Sequence, residues 1–203
     1  MKRPFLVRSL FLLCFVTAMS VGALGQADSR NVEPSYDVIL QLVHGSNDST
    51  AKTEIPANLS AISKQIRGNF AYSNYRLAGT YLGRINNMGS FESKSMTVPI
   101  GSGATLSRPM FLDWTLADLK SGPLPSGREG YQARAFRFGA RVPVVAMSGE
   151  GPGASTVVNY ESIGVTVSRI GLVENSPTLV GTVNLPGMDG VVFLVMTVRS
   201  ADL

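Results

Sequence analysis

The stretch Tyr36-Asp37-Val38-Ile39-Leu40-Gln41-Leu42-Val43-His44 decides the fold. Tyr36, Val38, Leu40 and Leu42 recur at every second position with Asp37 and Gln41 between them, the spacing of a strand with one face in a core. Gly45 to Thr50 ends it as a polar turn. The period then changes. Leu59, Ile62, Ile66 and Phe70 follow at steps of three and four, which predicts a helix over about Pro56–Arg67. Pro56 suits a first helical turn, where a missing N–H does no harm, and Gly68 supplies a stop. A helix this short must dock on a sheet to be stable. Its apolar face is expected to pack on Val38, Leu40 and Leu42.

Beyond the helix the alternation returns. Tyr75–Ile85 and Phe91–Val98 read as a hairpin joined through Asn86-Asn87-Met88-Gly89. Met110, Leu112, Trp114 and Leu116 alternate with Asp113 and Thr115. Further strands are expected near Tyr131–Phe138, Val142–Met147, Thr156–Arg169, Thr178–Val183 and Val191–Arg199, divided by Gly/Pro-rich turns. The fold class is α+β: mostly antiparallel β-sheet with one short amphipathic helix packed on it. Residues 35–203 are expected to form a single β-rich globular domain, with a lobe boundary near Gly101–Ser107 as the alternative.

Lys2, Arg3 and Arg8 precede an uncharged apolar run, and Ala23-Leu24-Gly25 places small residues at the −3 and −1 positions. Residues 1–25 therefore read as a signal peptide cut between Gly25 and Gln26, followed by an exposed lead over residues 26–34. The expected location is secreted or periplasmic. The run Ser9–Gly25 falls short of the ~20 residues a membrane span needs, and Val191–Val198 has only a strand's length. No transmembrane helix is expected in the mature chain.

This leader changes the charge reading. The chain has 18 Lys+Arg against 14 Asp+Glu, a net charge of +4. Three of those cations and none of the acids lie in the leader, which leaves the remainder near +1. A nucleic-acid binder needs a basic balance on the folded domain, so no nucleic-acid partner is expected. The sole cysteine, Cys14, also lies in the leader, so the mature chain has no disulfide and no thiol chemistry.

His44 is the sole histidine. A histidine triad, a multi-histidine metal site or a zinc site lacks its other members, and His44 reads as a surface or edge residue. Gly101-Ser102-Gly103 and the Gly149–Gly153 loop lack the lysine of a phosphate loop and precede strands. Gly-x-Ser-x-Gly is missing and no segment matches a calcium loop. No catalytic, cofactor-binding or metal-ligating residue is assigned, and no cofactor is expected. The acids are scattered. A carboxylate-dependent hydrolase would need two of Glu92, Asp113, Asp118 and Glu161 about 5–10 Å apart across a cleft.

Arg134, Arg137 and Arg141 interleave with Tyr131, Phe136 and Phe138. Basic residues among aromatics suit weak binding to an anionic surface such as lipid head groups or lipopolysaccharide. Strict alternation, however, places Arg134 and Arg137 on opposite strand faces.

One stretch resembles a known family. Phe138-Gly139-Ala140-Arg141-Val142-Pro143-Val144, a Gly-rich loop, and then Tyr160, Glu161, Ile163, Gly164 and Val165 within Val157–Val167 are similar to the core-domain strands of bacterial secretins, outer-membrane channels of secretion and pilus systems. The resemblance covers about residues 138–167 and implies a place in envelope or secretion assemblies. The chain ends where a full secretin barrel would still need hairpins. The functional expectation is an exported non-enzymatic envelope or extracellular protein, a structural or binding module whose partner is an unidentified protein or envelope component. The alternative is a secreted carboxylate-dependent hydrolase.

Overall fold

The computed structural model describes residues 33–48, 54–98, 100, 108–148 and 155–201. The chain divides into Met1–Glu33 and Pro34–Leu203, and the elements below belong to the second unit. The expected leader with its expected cleavage site at Gly25 and Gln26, most of the expected lead and the Gly101–Ser107 segment lie outside the described residues.

Nine strands and one helix follow in order: β1 (Ser35–Ser46), a single 3-10 turn (Ala57–Leu59) running into α1 (Ser60–Asn69), β2 (Asn74–Asn86), β3 (Phe91–Thr97), β4 (Met110–Ala117), β5 (Lys120–Pro123), β6 (Glu129–Ser148), β7 (Ser155–Leu172), β8 (Thr178–Val183) and β9 (Val191–Ser200). The first sheet has the order β2-β1-β9-β8. In the second, β3-β4-β6 run side by side, β7 pairs the other edge of β6, and β5 takes over from β4 along β6. Every strand pair is antiparallel. The protein is thus mostly antiparallel sheet with one short helix.

The two sheets face each other across the main core. Tyr36, Val38, Leu40 and Leu42 of β1, with Val192, Leu194, Met196 and Val198 of β9, meet Met110, Leu112, Trp114 and Leu116 of β4 and Phe136 and Phe138 of β6. These side chains are almost fully buried, each worth roughly 1.5–3 kcal/mol relative to exposure. Period-two patterning explains the arrangement: each strand gives one apolar face to the shared layer.

The helix packs on the sheet but on the other face from that expected. Leu59, Ile62 and Ile66 meet Val43, Val191, Phe193 and Val195, while Val38, Leu40 and Leu42 point into the sandwich. The sequence shows why in hindsight. β9 reads Val191-Val192-Phe193-Leu194-Val195-Met196, apolar at consecutive positions, the mark of a strand covered on both sides. The end of β1 is likewise buried on both faces from Leu40 to Ser46. The layers are therefore helix, sheet, sheet. At the helix C-terminus the Phe70 N–H closes on the Ile66 carbonyl at 2.9 Å, and the Phe70 ring meets Phe193 edge-on.

The expected hairpin of β2 and β3 does not form. Asn86–Gly89 does turn, with the Gly89 N–H bonded to the Asn86 carbonyl at 2.9 Å. Yet β2 pairs β1 and β3 pairs β4, so this turn carries the chain from one sheet to the other. Met88, in the left-handed region at φ 59°, donates its N–H to Leu119 of the second sheet. Gly83 makes the crossing close: a Cβ there would lie 2.6 Å from the Phe91 ring, which stacks on Trp114 with centroids 4.8 Å apart.

The helix layer is directly testable. Ile66 is buried against Phe193, whereas Lys64 is exposed. Ile66→Ala is expected to lower stability by about 2–5 kcal/mol, and Lys64→Ala to change it by about 0.5 kcal/mol or less. Urea melts of the two variants check this; equal shifts would refute the docking.

Candidate functional site

β6 is the longest strand, and its side chains do not alternate evenly. Tyr131 and Ala133 point into the core, and so do Phe136, Phe138, Ala140 and Val142. The inward phase therefore changes between Ala133 and Phe136, where Arg134 and Ala135 stand outside the core in succession. The same change occurs in β7 directly opposite. Ile163, Val165 and Val167 pack toward the core, then Ile170 and Leu172, with Ser168 and Arg169 exposed between. Ala133 stays opposite Ile170 and Ala135 opposite Ser168, so both strands gain one residue and the register is kept. Arg169 absorbs part of the change in the left-handed region, φ 56°.

The phase change lies where β6 exchanges one neighbour for another. β4 ends against it at Ala117 opposite Ala135, and β5 begins at Lys120 opposite Gln132. Asp118, at φ 52°, makes the corner, and its carboxylate accepts a hydrogen bond from the Arg134 guanidinium.

Even alternation would have split the three arginines. The phase change instead puts Arg134, Arg137 and Arg141 together on the wet face of the second sheet, all exposed. Arg137 sits between Thr115 and Thr166 in register. Arg141 sits over the Phe111 ring at 5.0 Å, and Phe111 leans on Tyr160 with centroids 5.5 Å apart. This cation–π placement holds the guanidinium against the sheet while leaving it accessible. Neither Arg137 nor Arg141 has an ion-pair partner among the described residues. Arg169 and Lys120 add to the same face beside Arg134, and sequence reading missed both. The broken phase of Val165, Val167, Ile170 and Leu172 was the available signal.

The four carboxylates weighed for hydrolysis do not all share one face. Lys94 binds Glu92 at 2.9 Å, and both share the wet face with Asp113. Asp113 lies flat on Gly139, where a Cβ would come within 2.7 Å of its oxygen. Glu161 pairs with the inward-facing Val142 and so belongs to the opposite face. Asp118 is engaged at the corner by Arg134. No cluster of three or more His, Cys, Asp or Glu side chains could hold a metal ion among the described residues. No helix among them is long and apolar enough to cross a membrane.

His44 is not a surface residue. It is 3% exposed at the end of β1, and its Nε2 donates to the Asp189 carbonyl at 2.7 Å. Nδ1 is buried without a partner among the described residues. The bond clamps the Pro186–Gly190 turn over the strand end. Gly190 is required there, at φ 91°, because a Cβ would lie 1.9 Å from the Gly45 carbonyl oxygen. Burial pushes the imidazole pKa down; the Asp189 carbonyl opposes the shift and the Arg76 guanidinium adds to it.

Comparison with protein families finds no match, and none is found among curated proteins. Among solved structures the chain is similar to the InvG secretin domain β-barrel from the Salmonella SPI-1 injectisome NC-base. That likeness covers 94% of this chain and 68% of the other at 12% identity, with a TM-score of 0.23. It agrees with the weak, partial resemblance read from residues 138–167. At that score it carries nothing about function.

The His44 clamp sets a pH dependence. The folded state holds the imidazole neutral, while the unfolded chain takes up a proton below about pH 6.5. Stability from this group is complete above that value and is lost as pH falls through the lowered folded pKa. Melts between pH 7.5 and 5 are expected to show this loss. In His44→Gln the loss in that window should vanish; a loss that persists would place its source elsewhere.

Proposed function

We propose that this protein is an exported, non-enzymatic binding module of the cell envelope, and that the wet face of its second sheet is its contact surface. Its partner on this reading is an anionic envelope surface, such as lipid head groups or lipopolysaccharide, in the setting of a cell-surface or secretion assembly. The observation that carries it is the gathering of Arg134, Arg137 and Arg141 on one open face, with Asp118 the one carboxylate paired to any of them among the described residues. A flat, cation-rich sheet suits an extended anionic surface, because each basic side chain near such a surface contributes about 1 kcal/mol. The alternative, a carboxylate-dependent hydrolase, loses Glu161 to the opposite face and is left with Glu92, which Lys94 pairs, and Asp113.

Export rests on the sequence of the leader. Intact mass of the exported protein is expected to place the mature N-terminus at Gln26; soluble exported protein that still begins at Met1 would refute it.

Vesicle sedimentation tests the contact surface. The mature protein should bind vesicles containing phosphatidylglycerol and not those of phosphatidylcholine alone. Arg134→Gln, Arg137→Gln and Arg141→Gln together should weaken binding by roughly a hundredfold, from about 3 kcal/mol of lost attraction. Binding should also fall with added salt. Equal binding by wild type and triple variant would remove this face from the function.

A further inference from the structure

Where β5 replaces β4 along β6, the wet face sinks into a groove of about 500 Å³. Its charged lining is Lys120 of β5, Arg134 of β6, Arg169 of β7 and Asp118 of the corner. Three cations and one carboxylate leave an excess of two positive charges. Met88 and Pro125 give part of the rim an apolar character.

The groove is built, not a chance gathering of surface lysines. Ala133 opposite Ile170 and Ala135 opposite Ser168 bracket Arg134 and Arg169, so these two arginines face each other across adjacent strands. Asp118 takes the Nε–H of Arg134, which fixes that guanidinium and leaves its terminal nitrogens for another acceptor. Gln132 is anchored by donation to the Pro123 carbonyl at 2.6 Å. Lys120 and Arg169 have no ion-pair partner among the described residues. Three non-glycine residues in the left-handed region, Met88 (φ 59°), Asp118 (φ 52°) and Arg169 (φ 56°), line this one groove. Each such conformation costs free energy that packing elsewhere must offset, and such positions gather at ligand sites.

We propose that this groove binds a phosphate monoester carried on a small polar molecule or head group. A phosphomonoester carries close to two negative charges at neutral pH, which matches the excess in the groove. Its three terminal oxygens accept from planar guanidinium donors in paired hydrogen bonds, while a lysine supplies a point charge. The volume exceeds one phosphate and leaves room for the group that bears it, within the usual range for small-ligand sites. The proposal deepens the anionic-surface reading and rests on it for the setting, but the groove can be tested separately.

The mature protein is titrated with glucose 1-phosphate, with glucose as control, by calorimetry. In parallel it is sedimented with phosphatidylcholine vesicles containing phosphatidic acid, a monoester, or phosphatidylglycerol, a diester, at equal vesicle charge. Arg169→Gln and Lys120→Gln are compared with Lys64→Gln on the exposed side of α1, each checked for folding by circular dichroism. Saturable one-to-one binding of glucose 1-phosphate, weakened about tenfold or more by Arg169→Gln and unchanged in Lys64→Gln, supports a soluble ligand. A preference for phosphatidic acid that Arg169→Gln abolishes and Arg169→Lys partly restores supports a lipid head group. Vesicle binding that is equal for monoester and diester and indifferent to Arg169 and Lys120, with no response to glucose 1-phosphate, overturns the groove while leaving the broader face intact. Sugar-phosphate binding without any vesicle binding keeps the groove and removes the anionic-surface reading.

Discussion

The constraint on which the site depends is that β6 must serve the core from Tyr131 to Val142 while its neighbour changes. Tyr131 and Ala133 serve the core beside β5; Phe136 to Val142 serve it beside β4. The corner at Asp118 and Leu119 lies opposite the change of phase in β6, and Leu119 is itself fully buried. β7 follows the change, so Ala133 stays opposite Ile170 and Ala135 opposite Ser168 on either side of it. Isolated in one strand, the extra residue would have left a backbone group unpaired. The cost is the left-handed backbone at Asp118 and Arg169. The consequence is that arginines which alternation alone would have separated stand on one side.

Much of the fold was legible in the sequence. Most strands followed from alternation, and α1 from Leu59, Ile62 and Ile66, because both patterns report a one-sided burial that the structure retains; but Tyr131–Phe138 and Val142–Met147 are one continuous strand, β6, and β5 lies where the Gly/Pro/Ser composition suggests a loop. The misreadings share a cause: pattern reports that a face is buried, not against what. β1 shows one apolar face, but Val43 and the unbroken run of β9 show that the first sheet is covered on both sides, and the helix took the second face. Asn86–Gly89 is a turn in either topology, and turn chemistry does not record whether the strands beside it pair. The sequence presents His44 as a surface or edge residue because the turn that buries it lies 145 residues away in the chain.

The candidate site was half legible. Arg134, Arg137 and Arg141 were visible as basic residues among aromatics, and their grouping was hidden by an assumption of unbroken alternation. The break is in fact written twice, in Ala133 to Phe136 and in Val167 to Ile170. Two breaks at matching positions in neighbouring strands are stronger evidence of a kinked ribbon than either alone. Lys120 and Arg169 enter only through register. The resemblance of residues 138–167 to secretins covers the strands that carry this face, yet it says nothing about the charges, which belong to this chain's own residues.

The central claim is the change of phase, and thiol accessibility reads it directly. Cys14 is the sole cysteine, so in a chain that begins at Gln26 single cysteines placed at 134, 136, 137 and 138 report each position alone. Labelling rates under native conditions are predicted to be fast at 134 and at 137 and slow at 136 and 138. Fast labelling at 134, 136 and 138 with protection at 137 would show even alternation, return the arginines to opposite faces, and contradict the account.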